Sequence, residues 1–153
     1  MSESRSTETR KRPRAPEEIE AIRKLKARYF RLLDTKLWDE MVGCFTADAV
    51  LAEHERNIFV EGGTAIVEFL KQGLGVDYVV TVHHGHNAEI ELTSGTTARA
   101  TWALNDYLFN RQTGKGTRGY GYYEDEYVKE KDNWKIKRTT VKHVHKEKFT
   151  KEG

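Results

Sequence analysis

Three of the six histidines of this chain fall within the four residues His83–His84–Gly85–His86. Imidazole is the side chain whose unperturbed proton affinity lies near neutral pH, so the stretch Thr81–Asn87 is where acid–base chemistry is expected. In an extended segment successive side chains point to opposite faces, which separates His83 from His84 and His86 without saying which face is the pocket. A working imidazole base needs a carboxylate to set its tautomer and stabilise its cation. The carboxylate best placed for this is Asp34, at the end of the first long helical pattern. Asp106 is a second anomaly, because it shares an alternating face with Ala98, Ala100, Trp102, Leu104 and Leu108. A buried carboxylate is costly unless partnered, and burial alone raises its pKa. Asp106 therefore reads either as a pocket carboxyl that meets substrate or a catalytic partner, or as a structural carboxylate with a partner of its own.

Other chemistries fit less well. The histidine spacing matches no recognised zinc pattern, and a zinc site needs three or four protein ligands, so no metal is expected. There is no phosphate-binding loop, no dinucleotide-binding glycine pattern and no nucleophilic serine elbow; no cofactor is expected. The single cysteine, Cys44, excludes an internal disulfide and reads as a buried structural thiol. His54, His143 and His145 read as surface residues, His143 being the one of the three that is able to point inward.

These groups must be positioned by helices that come first and long strands that come after. Ile19, Ile22, Leu25, Tyr29, Leu32 and Leu33 recur at three- and four-residue spacing, which predicts an amphipathic helix over Pro16–Leu33 with Tyr29 inside. A second helix is expected around Trp38, Met41, Val42 and Phe45. A short strand follows over 48–53, then a turn at Arg56-Asn57 and a strand over 58–60. A third helix, capped by Thr64, runs to about Gln72 and buries Ile66, Val67, Phe69 and Leu70. Strands are expected over 79–92, 98–109, 120–129 and 134–146, joined by turns at Ser94-Gly95, the loop 111–118 and Lys131–Asn133. Helices followed by hairpin-linked strands are the α+β pattern, three helices across one strongly bent antiparallel sheet.

At 153 residues the chain is one domain, taken as 16–147. Residues 1–15 are expected to form a basic, disordered tail and 148–153 a C-terminal tail. A net charge of +2 and the lack of a basic–aromatic motif in the folded part argue against nucleic-acid binding. No run approaches the ~18 apolar residues of a membrane helix, and the first fifteen residues hold no apolar leader, so the cytoplasm is expected.

Four segments, ARYFRLLDTKLWDEMVGCFTADA, TVHHGHNAEIEL, TWALNDYL and YEDEYVKEKDNWKIKRTTV, together resemble the SnoaL-like branch of the nuclear transport factor 2-like superfamily. Within it they are most similar to the bile acid 7α-dehydratases, and more distantly to scytalone dehydratases and hexachlorocyclohexane dehydrochlorinases. The resemblance spans about Glu17–His145 and implies a cone-shaped α+β barrel. It implies cofactor-independent elimination by a histidine that an aspartate orients: His83 with Asp34. Tyr29 would hydrogen-bond the developing enolate or the leaving group. Asp106 would donate to a leaving hydroxyl if its pKa is raised, or else orient substrate. Where the bile acid dehydratases carry a tyrosine and an arginine, this chain has Glu53 and His143, so a different pocket is expected. Trp102, Glu53, His143 and Tyr122 are the expected substrate-binding side chains. A homo-oligomer, a trimer before a dimer, and a small hydrophobic or polycyclic substrate are also implied. The expected activity is that of a dehydratase-type lyase. A polyketide cyclase or isomerase with the same site is the alternative, as is a non-catalytic ligand-binding or oligomerising module, such as a dioxygenase β-subunit.

Overall fold

The computed structural model describes residues 15–151. The expected basic tail therefore lies outside the described residues except for Ala15, which already begins the first helix. In chain order the elements are α1 (Ala15–Asp34), α2 (Trp38–Met41) with a 3₁₀ turn (Val42–Cys44), β1 (Phe45–Glu53), β2 (Ile58–Glu61), α3 (Gly63–Leu74), β3 (Val79–Leu92), β4 (Thr97–Asn110), β5 (Lys115–Glu130) and β6 (Asn133–Thr150). The strands form one sheet in the order β2-β1-β6-β5-β4-β3. The β1–β6 pair is parallel and the other pairs are antiparallel. This is the α+β architecture expected, with one correction. The outermost strands β2 and β3 do not pair with each other, so the sheet is bent but not closed into a barrel. Register shifts at 86/89 in β3, 120/121 and 126/127 in β5, and 45/50 in β1 mark where it bends.

α1 has Glu17 and Glu18 in its first turn and Arg31 in its last, in the sense that favours the helix dipole. Glu18 ties the helix start to the sheet. Its Oε1 lies 2.6 Å from Lys129 Nζ, and its other oxygen accepts from the Trp134 indole. The buried face of α1 is Ile22, Lys26, Tyr29, Phe30, Leu32 and Leu33. Periodicity finds most of these but misses Lys26 and Phe30. Phe30 explains a glycine in the histidine segment. A Cβ at Gly85 would stand 2.7 Å from the Phe30 ring, so only glycine lets α1 lie this close to β3. That closeness brings Asp34 within reach of His83.

Several expectations shift at the edges. α2 is a single turn, and Phe45 opens β1 instead of closing the helix, so β1 begins three residues earlier than expected. α3 starts at Gly63 after Gly62, and Thr64 makes no cap, because it already lies inside the helix. Ile66 and Val67 are buried, but Phe69 is 39 % exposed. β5 begins at Lys115 and β6 reaches Thr150, where Thr150 pairs with Lys115. Residues 148–150, expected as tail, are thus sheet. Cys44 is a buried free thiol, and burial raises its pKa. Among the described residues no helix is long and apolar enough to cross a membrane.

Candidate active site

The inner face of the sheet and the helices α1 and α3 enclose a cavity of about 540 Å³. Its walls are largely apolar, from Leu33, Leu51, Ile58, Leu70, Leu74, Leu108 and Val141. Five of the side chains singled out in the sequence border it: Tyr29, Glu53, His83, Asp106 and His143.

His83 is held from behind. Its Nδ1 lies 2.7 Å from Asp34 Oδ1, and its backbone N–H donates to Oδ2 at 2.8 Å. The Thr81 hydroxyl donates to Oδ1 at 3.0 Å. A carboxylate with three donors around it can only accept, so the proton of the neutral ring sits on Nδ1. Nε2, which makes no hydrogen bond among the described residues, keeps its lone pair for the cavity. Asp34 itself does not border the cavity; it contacts His83 from behind. His84 and His86 lie on the outer face of β3 and are exposed, so parity sends one histidine in and two out.

Directly across from His83 in the β3–β4 register stands Asp106. It has a partner of its own: Oδ2 lies 2.9 Å from His143 Nε2. The two belong to β4 and β6, with β5 between them. The bridge crosses at Gly119, where a Cβ would stand 2.1 Å from Asp106 Oδ1 and 2.7 Å from His143 Nε2. His143 Nδ1 lies 3.6 Å from Glu53 Oε1. Arg56 holds Glu53 through both oxygens, at 2.8 and 2.6 Å, and Lys146 Nζ lies 3.6 Å away. His143 is thus an inward residue with an 8 % exposed side chain, not a surface one.

These contacts decide the charges. The hydrogen bond to Asp106 and the nearby Glu53 carboxylate raise the His143 pKa to about 9 against the opposing effect of burial. Burial pushes Asp106 up, but the hydrogen bond and charge of His143 outweigh it and hold the carboxyl below its ordinary value. Burial also opposes ionisation of Glu53, yet the nearby His143 and the bonds from Arg56 bring its pKa down to about 2. Asp106 is therefore an anion and not the proton donor that a raised pKa would have made it. Of its two expected roles, orienting substrate is the one its charge permits.

Tyr29 is buried, and burial with nearby negative charge raises its pKa well above 10, so it stays a neutral phenol. Its hydroxyl makes no bond among the described residues. Two expected substrate-binding residues are elsewhere. Trp102 is buried but does not border the cavity, its indole donating to Tyr127 Oη at 3.0 Å. Tyr122 is 48 % exposed on the outer face; Tyr123 is the residue of that pair that borders the cavity. Glu53, Glu55 and His143 bring potential metal-ligand atoms within 4.8 Å of one another. Arg56 already occupies Glu53, and Asp106 already occupies His143, so the geometry is that of ion pairing.

Sequence reasoning missed a buried ion pair. Lys26 Nζ lies 2.8 Å from Asp125 Oδ2, and both side chains are fully buried. Tyr127 donates to the same Oδ2 at 2.6 Å. The signal was available: Asp125 alternates with the inward residues Tyr123 and Tyr127, and Lys26 sits four residues from Ile22 and Phe30. Opposite charges on two inward faces are each other's natural partners.

The SnoaL-like domain family matches residues 14–140, and the chain belongs to it, within the nuclear transport factor 2-like superfamily. Solved structures agree in fold. A candidate scytalone dehydratase from Novosphingobium aromaticivorans is 24 % identical, with a TM-score of 0.79, covering 88 % of this chain and 89 % of its own. A hexachlorocyclohexane dehydrochlorinase, LinA Type2, is 15 % identical with a TM-score of 0.78, covering 87 % and 89 %. ActVI-ORFA from Streptomyces coelicolor is 13 % identical with a TM-score of 0.68, covering 84 % and 98 %. At these identities the likeness establishes the fold.

Proposed function

We propose that this SnoaL-like domain is a cofactor-independent lyase that removes water from a small hydrophobic or polycyclic carbonyl compound. The observation that carries the reading is the His83–Asp34 contact of 2.7 Å, beside a cavity, with Nε2 unengaged. His83 Nε2 takes the proton from the carbon next to the carbonyl, and the negative charge of Asp34 stabilises the imidazolium that forms. Tyr29 donates a hydrogen bond to the carbonyl oxygen as it becomes an enolate. The imidazolium then gives that proton to the β-hydroxyl as the C–O bond breaks and the enolate collapses to the enone, so water leaves and His83 is again neutral. The Asp106 anion, beside His83 in the register, accepts a hydrogen bond from that hydroxyl and orients it. His143, charged and enclosed, keeps Asp106 ionised. Each positioned acid–base group of this kind contributes roughly 10²–10⁴-fold.

Elimination begins with proton abstraction, and that step can be measured without the true substrate. Cyclic ketones incubated with the protein in deuterium oxide should exchange their α-hydrogens, followed by NMR. A panel of β-hydroxy ketones should also yield enone absorbance. Folded His83→Ala exchanging as fast as wild type would remove the reading. Exchange without loss of hydroxyl from any β-hydroxy ketone would favour a cyclase or isomerase using the same base. No exchange at all would favour a non-catalytic module. We also propose a homotrimer, supported by apolar side chains on the outer face of the sheet: Val82, Tyr120, Tyr122 and Val144 are all exposed.

A further inference from the structure

Two tyrosines on the same face of β5 have opposite surroundings. The Tyr127 hydroxyl is fully engaged, accepting from Trp102 and donating to Asp125. Tyr123, four residues earlier, is only 3 % exposed and borders the cavity. Its hydroxyl has no hydrogen-bond partner among the described residues, and neither has that of Tyr29. A buried polar group left without a partner costs about 1–3 kcal/mol. The phenol oxygens are not among the fully enclosed polar atoms that lack a hydrogen bond. They open on the cavity, where a ligand can satisfy them.

The two rings share one buried cation. Lys26 Nζ lies 4.0 Å from the Tyr123 ring centroid and 4.8 Å from that of Tyr29. Lys26 is pinned in turn by Asp125, so both rings are fixed against the same anchor. A cation over a phenol ring draws electron density from it and makes the hydroxyl a better donor.

We propose that Tyr123 is a second catalytic hydrogen-bond donor, acting with Tyr29 on a single carbonyl oxygen of the substrate as that oxygen becomes an enolate. The inference rests on the lyase reading and deepens it: the substrate must present a carbonyl to two neutral donors as well as an α-hydrogen to His83. Burial keeps both phenols protonated, so both donate and neither repels the growing charge. Preorganised donors of this type stabilise an oxyanion more than the neutral carbonyl that precedes it.

A planar aryl oxide imitates an enolate, so the test uses 2-naphthol, whose neutral and ionised forms differ in absorbance and fluorescence. Binding is titrated across the pH range of its ionisation, with wild type, Tyr29→Phe, Tyr123→Phe and the double variant, each checked for folding by near-UV circular dichroism. The expected result is preferential binding of the naphtholate by wild type and a loss of about 10–100-fold in each single variant, the range of a hydrogen bond to a charged group. Folded Tyr123→Phe binding naphtholate as wild type does, while Tyr29→Phe loses it, overturns the inference and leaves the lyase reading standing. No preference for naphtholate in wild type overturns both. Should Tyr123→Phe not fold, wild type labelled at the tyrosine Cζ carbons answers the same question. Two of its seven tyrosine resonances should respond strongly to naphtholate; one or none overturns the inference.

Discussion

An imidazole–carboxylate pair acts differently according to which member faces the substrate. In the first pair His83 faces the cavity and Asp34 stands behind it, which makes a base with a free lone pair. In the second both members border the cavity, but the two nitrogens of His143 face carboxylates, Asp106 at 2.9 Å and Glu53 at 3.6 Å, so its ring offers no free lone pair. The first pair should be catalytic and the second an electrostatic fixture. Asp34→Asn removes the charge that stabilises the imidazolium, and α-hydrogen exchange should fall about 10²–10⁴-fold with the fold retained. The second pair should show in stability. The His143 pKa is raised from 6.5 to about 9, so its stabilisation is fully present below 6.5 and is lost as pH rises through 9. Glu53 is lowered from 4.5 to about 2, so its stabilisation is present above 4.5 and is lost as pH falls toward 2. Stability should therefore be greatest between about 4.5 and 6.5, and the alkaline decline, on the order of 3 kcal/mol, should be largely absent in His143→Gln. Chemical denaturation from pH 4 to pH 10 measures this; an equal alkaline decline in the variant would contradict it.

At the scale of elements, the site depends on how closely α1 lies on β3. Gly85→Ala would force a methyl group to 2.7 Å from Phe30, so either the ring or the helix must move. Overpacking of this kind costs roughly 1–3 kcal/mol, and here it should also lengthen the His83–Asp34 contact and slow exchange. Phe30→Leu in the same chain should recover part of both; recovery of neither would mean that the glycine serves something else. The Lys26–Asp125 pair is the second link between α1 and the sheet. Lys26→Met leaves a buried carboxylate without its cation and should destabilise by about 3–5 kcal/mol. Lys26→Met with Asp125→Asn should be less destabilised than the single variant, because no unpaired charge remains. A double variant with the sum of both single losses would deny the coupling.

For the whole molecule, the sheet has two faces with different tasks. The inner one holds the cavity. The outer one exposes Val82, Tyr120, Tyr122 and Val144, together with His84 and His86. If that face joins copies of the chain, Tyr122→Glu with Val144→Glu should reduce the mass measured by light scattering to that of a monomer. Exchange at His83 should persist, since neither residue touches the cavity. An unchanged mass would place any assembly elsewhere.

What the sequence determined by itself was local and periodic. Spacing of three and four placed α1 with Tyr29 inward; alternation placed β4 with Asp106 inward. Turn residues separated the long strands, and the segments around Asp34 and His83 carried the family. Parity also divided the histidines correctly, but it could not choose their faces, because a strand pattern has no knowledge of what covers it. The remaining decisions needed contacts distant in sequence. Whether Asp106 is an acid or an anion depends on His143, thirty-seven residues away and two strands over, reached only because Gly119 has no side chain. Tyr122 and Tyr123 exchanged places because the register of β5 sets which of two adjacent tyrosines turns inward. Apolar periodicity passes over Lys26 because lysine is not an apolar residue; Asp125, on another element, keeps it inside. Proton affinity and burial belong to the assembled surroundings of a group, and those exist only once the chain has folded.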